Sequence, residues 1–142
     1  LTREYLGSDP HTSREIKVLE NYVLEQVNES IPRDIMDHVA DHFVATSKTF
    51  RTLARLGEHW FGDNSKYLKI NSLNKMIPKL QAMSNNERAE LPGVSQSRAR
   101  QIVAGAIVAR TAMEKLQINE LEICPWALRE GIVLRWLDWM ER

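Results

Sequence analysis

The residues with the clearest chemical potential form one short run, Val44-Ala45-Thr46-Ser47-Lys48-Thr49-Phe50. An apolar, β-branched stretch leads here into three hydroxyls and an amine. If a strand ends and a helix begins at this point, the helix start presents free backbone N–H groups and a positive dipole end to an anion. The hydroxyls of Thr46, Ser47 and Thr49, with the ammonium of Lys48, suit a phosphate. The same residues also make an ordinary N-cap at Ser47, and residue type alone favours that plainer reading.

Other segments invite a chemical reading. Leu91-Pro92-Gly93-Val94-Ser95 resembles the hairpin of helix–hairpin–helix DNA-binding modules, where backbone N–H groups hold a DNA phosphate. Ser95 stands where that hairpin has its second glycine, whose backbone freedom allows the close approach. A non-catalytic helical DNA-binding module built on this turn is therefore the alternative function, against a simple loop and N-cap. His38 and His42, flanked by Asp37 and Asp41, have the spacing of a helical zinc pair. His42 opens an apparent strand, however, and no further ligands are evident, so solvated loop side chains are the expectation. Cys124 lacks a C-x-x-C partner and reads as a buried structural cysteine. Trp136 and Trp139 belong to the core or, where exposed, to a domain or subunit contact.

The elements that must position these residues follow from periodicity. Thr12 and Glu15 form a capping box, and Ile16, Leu19, Val23 and Val27 continue it as a helix that Pro32 ends. Residues 42–46 read as a strand buried on both faces. Residues 47–49 form a turn, and a short helix runs from Phe50 until Gly57 stops it. Residues 58–65 read as a loop, and residues 67–70 as a short alternating strand. Leu73, Met76, Ile77 and Leu80 have helical spacing, with a kink expected at Pro78. Ser84 and Glu87 form a second capping box. Residues 96–116 predict the longest helix, made central by its small residues Ala104, Gly105 and Ala106. Residues 121–124 read as a second buried strand, and residues 126–140 as the last helix. Gly131 inside that helix suggests close packing.

Two firm strands among about five helices do not make a stable sheet. The expectation is a helix-rich α/β chain that is part of a larger domain, the more so as Leu1 is not a methionine. The 142 residues carry 43% hydrophobic and 27% charged side chains with a formal net charge of zero. That balance argues against a long nucleic-acid partner, which selects a basic excess. One cysteine excludes an internal disulfide and points to a reducing, cytoplasmic compartment. No apolar run approaches membrane-spanning length.

Taken in order, three segments carry a resemblance. They are residues 42–56, Leu91-Pro92-Gly93-Val94 leading to Arg98-Ala99 and Val103-Ala104-Gly105-Ala106, and residues 122–131. Together they resemble the C-terminal half of the exopolyphosphatase/guanosine pentaphosphate phosphatase (Ppx/GppA) family in its actinobacterial form. The resemblance implies that residues 1–142 are the C-terminal part of a lobe of an actin-like (ribonuclease H-like) ATPase fold, with the active site in the cleft between two lobes. It implies a parent phosphohydrolase that uses Mg²⁺ to release terminal phosphate from polyphosphate or from guanosine pentaphosphate. The general-base glutamate and the glycine-rich phosphate loop of the family would lie in a portion before Leu1. The fragment itself is then expected to be inactive, with no catalytic residue and no metal ligand of its own. Its partners would be the N-terminal lobe of the same protein and, as a further option, a second copy.

Within this chain the resemblance assigns phosphate binding to Ser47, Lys48 and Thr49, which match an A-S-G-T-like turn with Lys48 where glycine is usual. It assigns the same to Arg98, the arginine of an R-A-D-x-I-x-x-G pattern that continues through Ala99, Ile102 and Gly105. Arg100 replaces the aspartate of that pattern. The residues Leu128, Arg129, Glu130 and Gly131 match an L-R-E-G element expected to be architectural.

Overall fold

The computed structural model describes residues 1–36, 40–126 and 128–140. Its elements run α1 Thr2–Tyr5, α2 Ser13–Ser30, α3 Arg33–Met36, β1 Val44–Ala45, α4 Lys48–Phe61 and β2 Tyr67–Lys69. They continue with α5 Ile70–Ala82, α6 Asn85–Ala89, α7 Gln96–Ala99, α8 Ile102–Lys115, β3 Glu120–Ile123 and α9 Leu128–Met140. The chain is a helix-rich α/β structure, as the sequence predicts.

Local signals fix several helix starts. At α2 the Thr12 hydroxyl accepts from the Glu15 N–H at 3.3 Å, and the Glu15 carboxylate accepts from the Thr12 N–H at 2.8 Å. The same carboxylate also accepts from the N–H groups of Gly7 and Ser8. These bonds, led by that from Thr12, push the Glu15 carboxyl down to about 2. Ser84 and Glu87 repeat the capping box at α6.

α8 occupies the centre of the molecule. Ile102, Val103, Ala104, Ala106, Ile107, Ala109, Thr111 and Met113 are all buried, so this helix is apolar on most of its circumference. It packs on α2, α4 and α5. α2 contributes Ile16, Leu19 and Val23, and α5 contributes Leu73, Met76, Ile77 and Leu80. Each fully buried leucine stabilises the fold by about 1.5–3 kcal/mol relative to exposure.

The sheet has three strands in the order β1-β3-β2. β1 runs parallel to β3, with Ala45 opposite Ile123, and β2 runs antiparallel, with Leu68 opposite Leu121. The third strand gives β3 two partners from within the chain. Neither firm strand is buried on both faces. In β1 only Ala45 is buried, while Phe43 and Val44 are 39% and 51% exposed. In β3 Leu121 is buried between exposed Glu120 and Glu122. The cause is that β1 is a two-residue edge, and only one sheet face meets the helices. Cys124, just past β3, is half-buried rather than buried.

Two helix boundaries differ from expectation. α4 runs through Gly57 to Phe61 and ends at Gly62, whose φ of 70° provides the left-handed cap. Gly57 is buried inside the helix, where a Cβ would come within 3.2 Å of the Asp63 carboxylate. The expected loop therefore starts only at Gly62. The long helix expected over residues 96–116 is broken into α7 and α8. Tight three-residue bonds, Arg98 N–H to Ser95 O and Gln101 N–H to Arg98 O, both 2.8 Å, wind the chain too steeply for one continuous helix. α2, with 18 residues, is longer than either piece. α5 passes through Pro78 as a single element, with the proline on an exposed position.

α9 differs from every other long helix. Ile132, Val133, Leu134, Trp136, Leu137, Trp139 and Met140 are all exposed, Trp139 by 74%. Nothing lies within 4 Å of a Cβ placed on Gly131, so this glycine makes no close packing among the described residues. The side chains of Leu128 and Arg129 lie outside the described residues. No described helix is long and apolar enough to cross a membrane.

Candidate phosphate-binding site

The site is organised by the first two turns of α4. Ser47 is the N-cap, in extended conformation, and its Oγ accepts from the Phe50 N–H at 3.2 Å. The Ser47 carbonyl accepts from the Arg51 N–H at 3.2 Å. The plain reading of Ser47 as a cap is thus correct, and it leaves the N–H groups of Lys48 and Thr49 as the helix's first two orphan donors. These N–H groups and the dipole end are what an anion would meet.

Gly105 brings α8 against this turn. A Cβ on Gly105 would lie 2.6 Å from Thr49 Cγ2, well inside contact distance. The glycine therefore permits the close approach of the two helices. Beside the junction lies a cavity of about 850 Å³, lined by Ser47, Thr49, Phe50, Gln101, Gly105 and the α1 residues Thr2, Arg3 and Glu4, among others.

A second concavity, of about 290 Å³, opens on the other flank of α4. Its lining is Lys48, Arg51, Thr52, Arg55, Gly93, Ser95 and Arg98. The turn of residues 91–94 closes one side. The Val94 N–H bonds to the Leu91 carbonyl at 3.1 Å, with Gly93 at a φ of 78°. Proline followed by left-handed glycine is the signature of a type II turn. Gly93 sits against Arg55, with a Cβ position only 3.2 Å from Arg55 Cδ. Thr52 Oγ1 donates to the Lys48 carbonyl at 3.0 Å and lies 3.3 Å from the Gly93 carbonyl, which ties the turn to α4. Buried Val94 anchors it.

The four residues assigned from sequence are therefore divided. Ser47 and Thr49 border the larger cavity, whereas Lys48 and Arg98 line the basic pocket. Arg98 reaches that pocket from α7, half-buried. Ser47 also borders an apolar recess with His42, Phe43, Phe50 and Met113. Arg51 and Arg55 were not singled out from the sequence. Their signal was present in the spacing, since Lys48, Arg51 and Arg55 share one face of a helix.

The two concavities differ electrostatically. The basic pocket holds four cationic side chains and no carboxylate. None of the four makes an ion pair among the described residues, whereas Lys69, Arg88 and Arg110 are paired with Asp63, Asp9 and Glu20. Arg51 donates to the Pro125 carbonyl at 3.4 Å, and its buried Nε finds no partner among the described residues.

Neither concavity offers a carboxylate set for Mg²⁺. The larger one carries Glu4 alone and the basic one none. No described group of three His, Cys, Asp or Glu side chains could hold a metal ion. His42 is exposed. His38 and Asp37 lie outside the described residues.

A sequence model of the Ppx/GppA phosphatase family matches residues 1–140. Exopolyphosphatase 1 of Mycobacterium leprae is 43% identical over 97% of this chain, and exopolyphosphatase 1 of Mycobacterium tuberculosis is 45% identical over the same share. The matches span 42% and 41% of those relatives, so the chain covers less than half their length. Among solved structures, the Ppx/GppA family member of Aquifex aeolicus superposes with a TM-score of 0.81 at 20% identity, covering 99% of this chain and 46% of that one. The exopolyphosphatase of Cytophaga hutchinsonii superposes with a TM-score of 0.66 at 20% identity, over 92% and 44%. The fold is thus that of part of an actin-like Ppx/GppA protein, with the helix start at Ser47 and the glycine at 105 in structural contact. On sequence match and fold together, the chain belongs to the Ppx/GppA phosphatase family.

Proposed function

We propose that this chain is the C-terminal, phosphate-binding lobe of an exopolyphosphatase-type phosphohydrolase. The observation that carries the reading is the start of α4. Orphan N–H donors and the Thr49 hydroxyl stand beside a large cavity on one flank of α4, and on its other flank stand cations that no carboxylate neutralises among the described residues. Such an arrangement binds the oxygens of a phosphoryl group and stabilises the charge that develops on them during attack by water. The residues assigned to this work are Ser47, Lys48, Thr49 and Arg98. Ser47 acts chiefly by capping the helix that presents the donors.

Glu4 is the one carboxylate in the lining of either concavity, too few for a carboxylate cage around Mg²⁺, and the base and the Mg²⁺ ligands are not assigned to this chain. Those elements are assigned to an N-terminal lobe, across a cleft from α4. The exposed apolar surface of α9 supports a contact with that lobe. The single cysteine, Cys124, suits a reducing compartment, and the compartment proposed is the cytoplasm.

Phosphate release from inorganic polyphosphate tests the reading, measured with the 142-residue chain alone and with the chain joined to its N-terminal lobe. The lone chain is expected to be silent, and release by it would sink the two-lobe reading. In the joined protein Arg98→Ala is expected to lower kcat/KM at least tenfold, about 1.4 kcal/mol. An unchanged value would remove Arg98 from the substrate site.

A further inference from the structure

The basic pocket is larger in consequence than the assignment of Lys48 and Arg98 requires. Lys48, Arg51 and Arg55 stand at positions i, i+3 and i+7 of α4, so they form a row about 10 Å long on one face. Arg98 enters from α7, and the Gly93 turn forms the opposite wall. A single phosphate needs only one end of such a row. Four like charges gathered without a carboxylate repel one another, and a bound polyanion offsets that repulsion.

One detail sets Arg55 against the turn, and another anchors Arg51. Gly93 leaves room for the Arg55 guanidinium, whose Nη1 lies 3.3 Å from where a Cβ would be. Arg51 is half-buried, bonded to the Pro125 carbonyl at 3.4 Å, and its buried Nε has no hydrogen-bond partner among the described residues. An unpaired, buried guanidinium N–H is costly unless an acceptor reaches it.

We propose that Arg51 and Arg55, together with Lys48 and Arg98, form a second phosphoryl subsite that holds internal phosphates of a linear condensed-phosphate chain. The inference rests on the phosphohydrolase reading and names its substrate class. A chain with one phosphate at the start of α4 continues around the helix along the arginine row. A guanosine nucleotide would instead place an uncharged sugar and base against part of that row. The recessed geometry also favours a bare phosphate chain over duplex DNA, whose backbone is carried on a wide, stiff cylinder. The Gly93 turn thus contributes to a pocket wall.

Titration calorimetry on the 142-residue chain tests the proposal, with long-chain inorganic polyphosphate, orthophosphate and duplex DNA as titrants at matched salt. The double variant Arg51→Gln/Arg55→Gln is expected to lose long-chain affinity at least tenfold and to show a shallower salt dependence. Its orthophosphate binding should match wild type, as should that of an Arg14→Gln control on α2. Circular dichroism establishes that the variant is folded. If the double variant does not fold, Arg55→Gln alone, at an exposed position, should still lose at least threefold. Three outcomes overturn the subsite: unchanged long-chain affinity in the variant, no polyphosphate binding by wild type, or a preference for duplex DNA that the two substitutions abolish. If the arginine variant binds normally while Thr49→Val abolishes phosphate binding, the subsite fails and the phosphohydrolase reading stands. If Arg98→Ala leaves turnover of the joined protein unchanged, that reading loses its assigned arginine, whatever the arginine row binds.

Discussion

Arg88 and the arginines of the α4 pocket are the same side chain in opposite circumstances. Arg88 is completely buried, yet every direction is answered. Asp9 accepts at 3.0 Å, the Ser84 carbonyl at 3.3 Å, and His11 Nε2 lies at 2.8 Å. Together these contacts clasp residues 9–11 onto α6. Arg51, Arg55 and Arg98 lie nearer solvent and face no carboxylate among the described residues. The difference separates two uses of one residue type. A buried guanidinium that the fold neutralises holds the fold together. A partly exposed cluster that the fold leaves unneutralised is available to a ligand. Stability and binding should therefore respond in opposite ways to substitution in the two places.

The largest expected effect tests the clasp. Arg88→Met keeps much of the side-chain volume but removes all three polar contacts. Breaking a buried ion pair by removing one partner costs about 3–5 kcal/mol. Asp9 is 37% exposed and regains water, so a value near about 3 kcal/mol is expected. Urea unfolding measures it. A loss below about 1 kcal/mol would mean that the clasp is incidental. Polyphosphate affinity, measured on folded protein, should be unchanged, because Arg88 lines neither α4 concavity.

A second, smaller effect tests how the two helices that frame the site meet. In an open helix Gly105→Ala would stabilise by up to about 1 kcal/mol. Here the new Cβ meets Thr49 Cγ2, and overpacking of this kind costs about 1–3 kcal/mol. A net loss of about 1–2 kcal/mol is expected, with weaker orthophosphate binding. Thr49→Ser removes the offending methyl and keeps the hydroxyl. The double variant should recover most of the stability and much of the binding. If Thr49→Ser rescues neither, the Gly105–Thr49 contact does not set the geometry of the α4 start.

What the sequence showed and hid follows the range of the interactions. Both capping boxes were legible because Thr12 with Glu15, and Ser84 with Glu87, are three residues apart and need no other part of the molecule. The Ser47 cap was legible for the same reason. Which glycine ends α4 was not. Gly57 and Gly62 are equivalent locally, and the choice is made by Asp63 and Ser72 packing against Gly57. The division of Ser47 and Thr49 from Lys48 and Arg98 was also hidden. It depends on α8 and the Gly93 turn arriving on opposite flanks of α4. The arginine row was readable from helical spacing once α4 was known to continue past Gly57. The clasp was unreadable, since its partners are 77 and 79 residues apart.

The smallest expected effect is a pH dependence that belongs to the clasp and not to the pocket. His11 Nδ1 lies 2.6 Å from the Ser8 carbonyl, so Nδ1 carries the proton and Nε2 faces Arg88 as an acceptor. Burial, and then the Arg88 cation, push the imidazole below its ordinary value of 6.5, against smaller opposing effects from the Ser8 carbonyl, Glu15 and Asp9. Above pH 6.5 the ring is neutral in both folded and unfolded chains and contributes no pH dependence. As pH falls through 6.5 the unfolded chain takes up a proton that the folded chain resists, so stability declines towards the lowered folded value. The Glu15 contribution is separate, since its stabilisation is retained until pH falls below about 4.5 and is lost towards about 2. Wild-type thermal midpoints should therefore drop between pH 7 and pH 5, and His11→Gln should remove most of that drop while lowering the midpoint at pH 7. The Arg51→Gln/Arg55→Gln variant should keep the drop in full. A drop that survives His11→Gln would place the titrating group elsewhere. A drop that vanished with the pocket arginines would erase the distinction between a cation the fold has neutralised and cations it has left for a ligand.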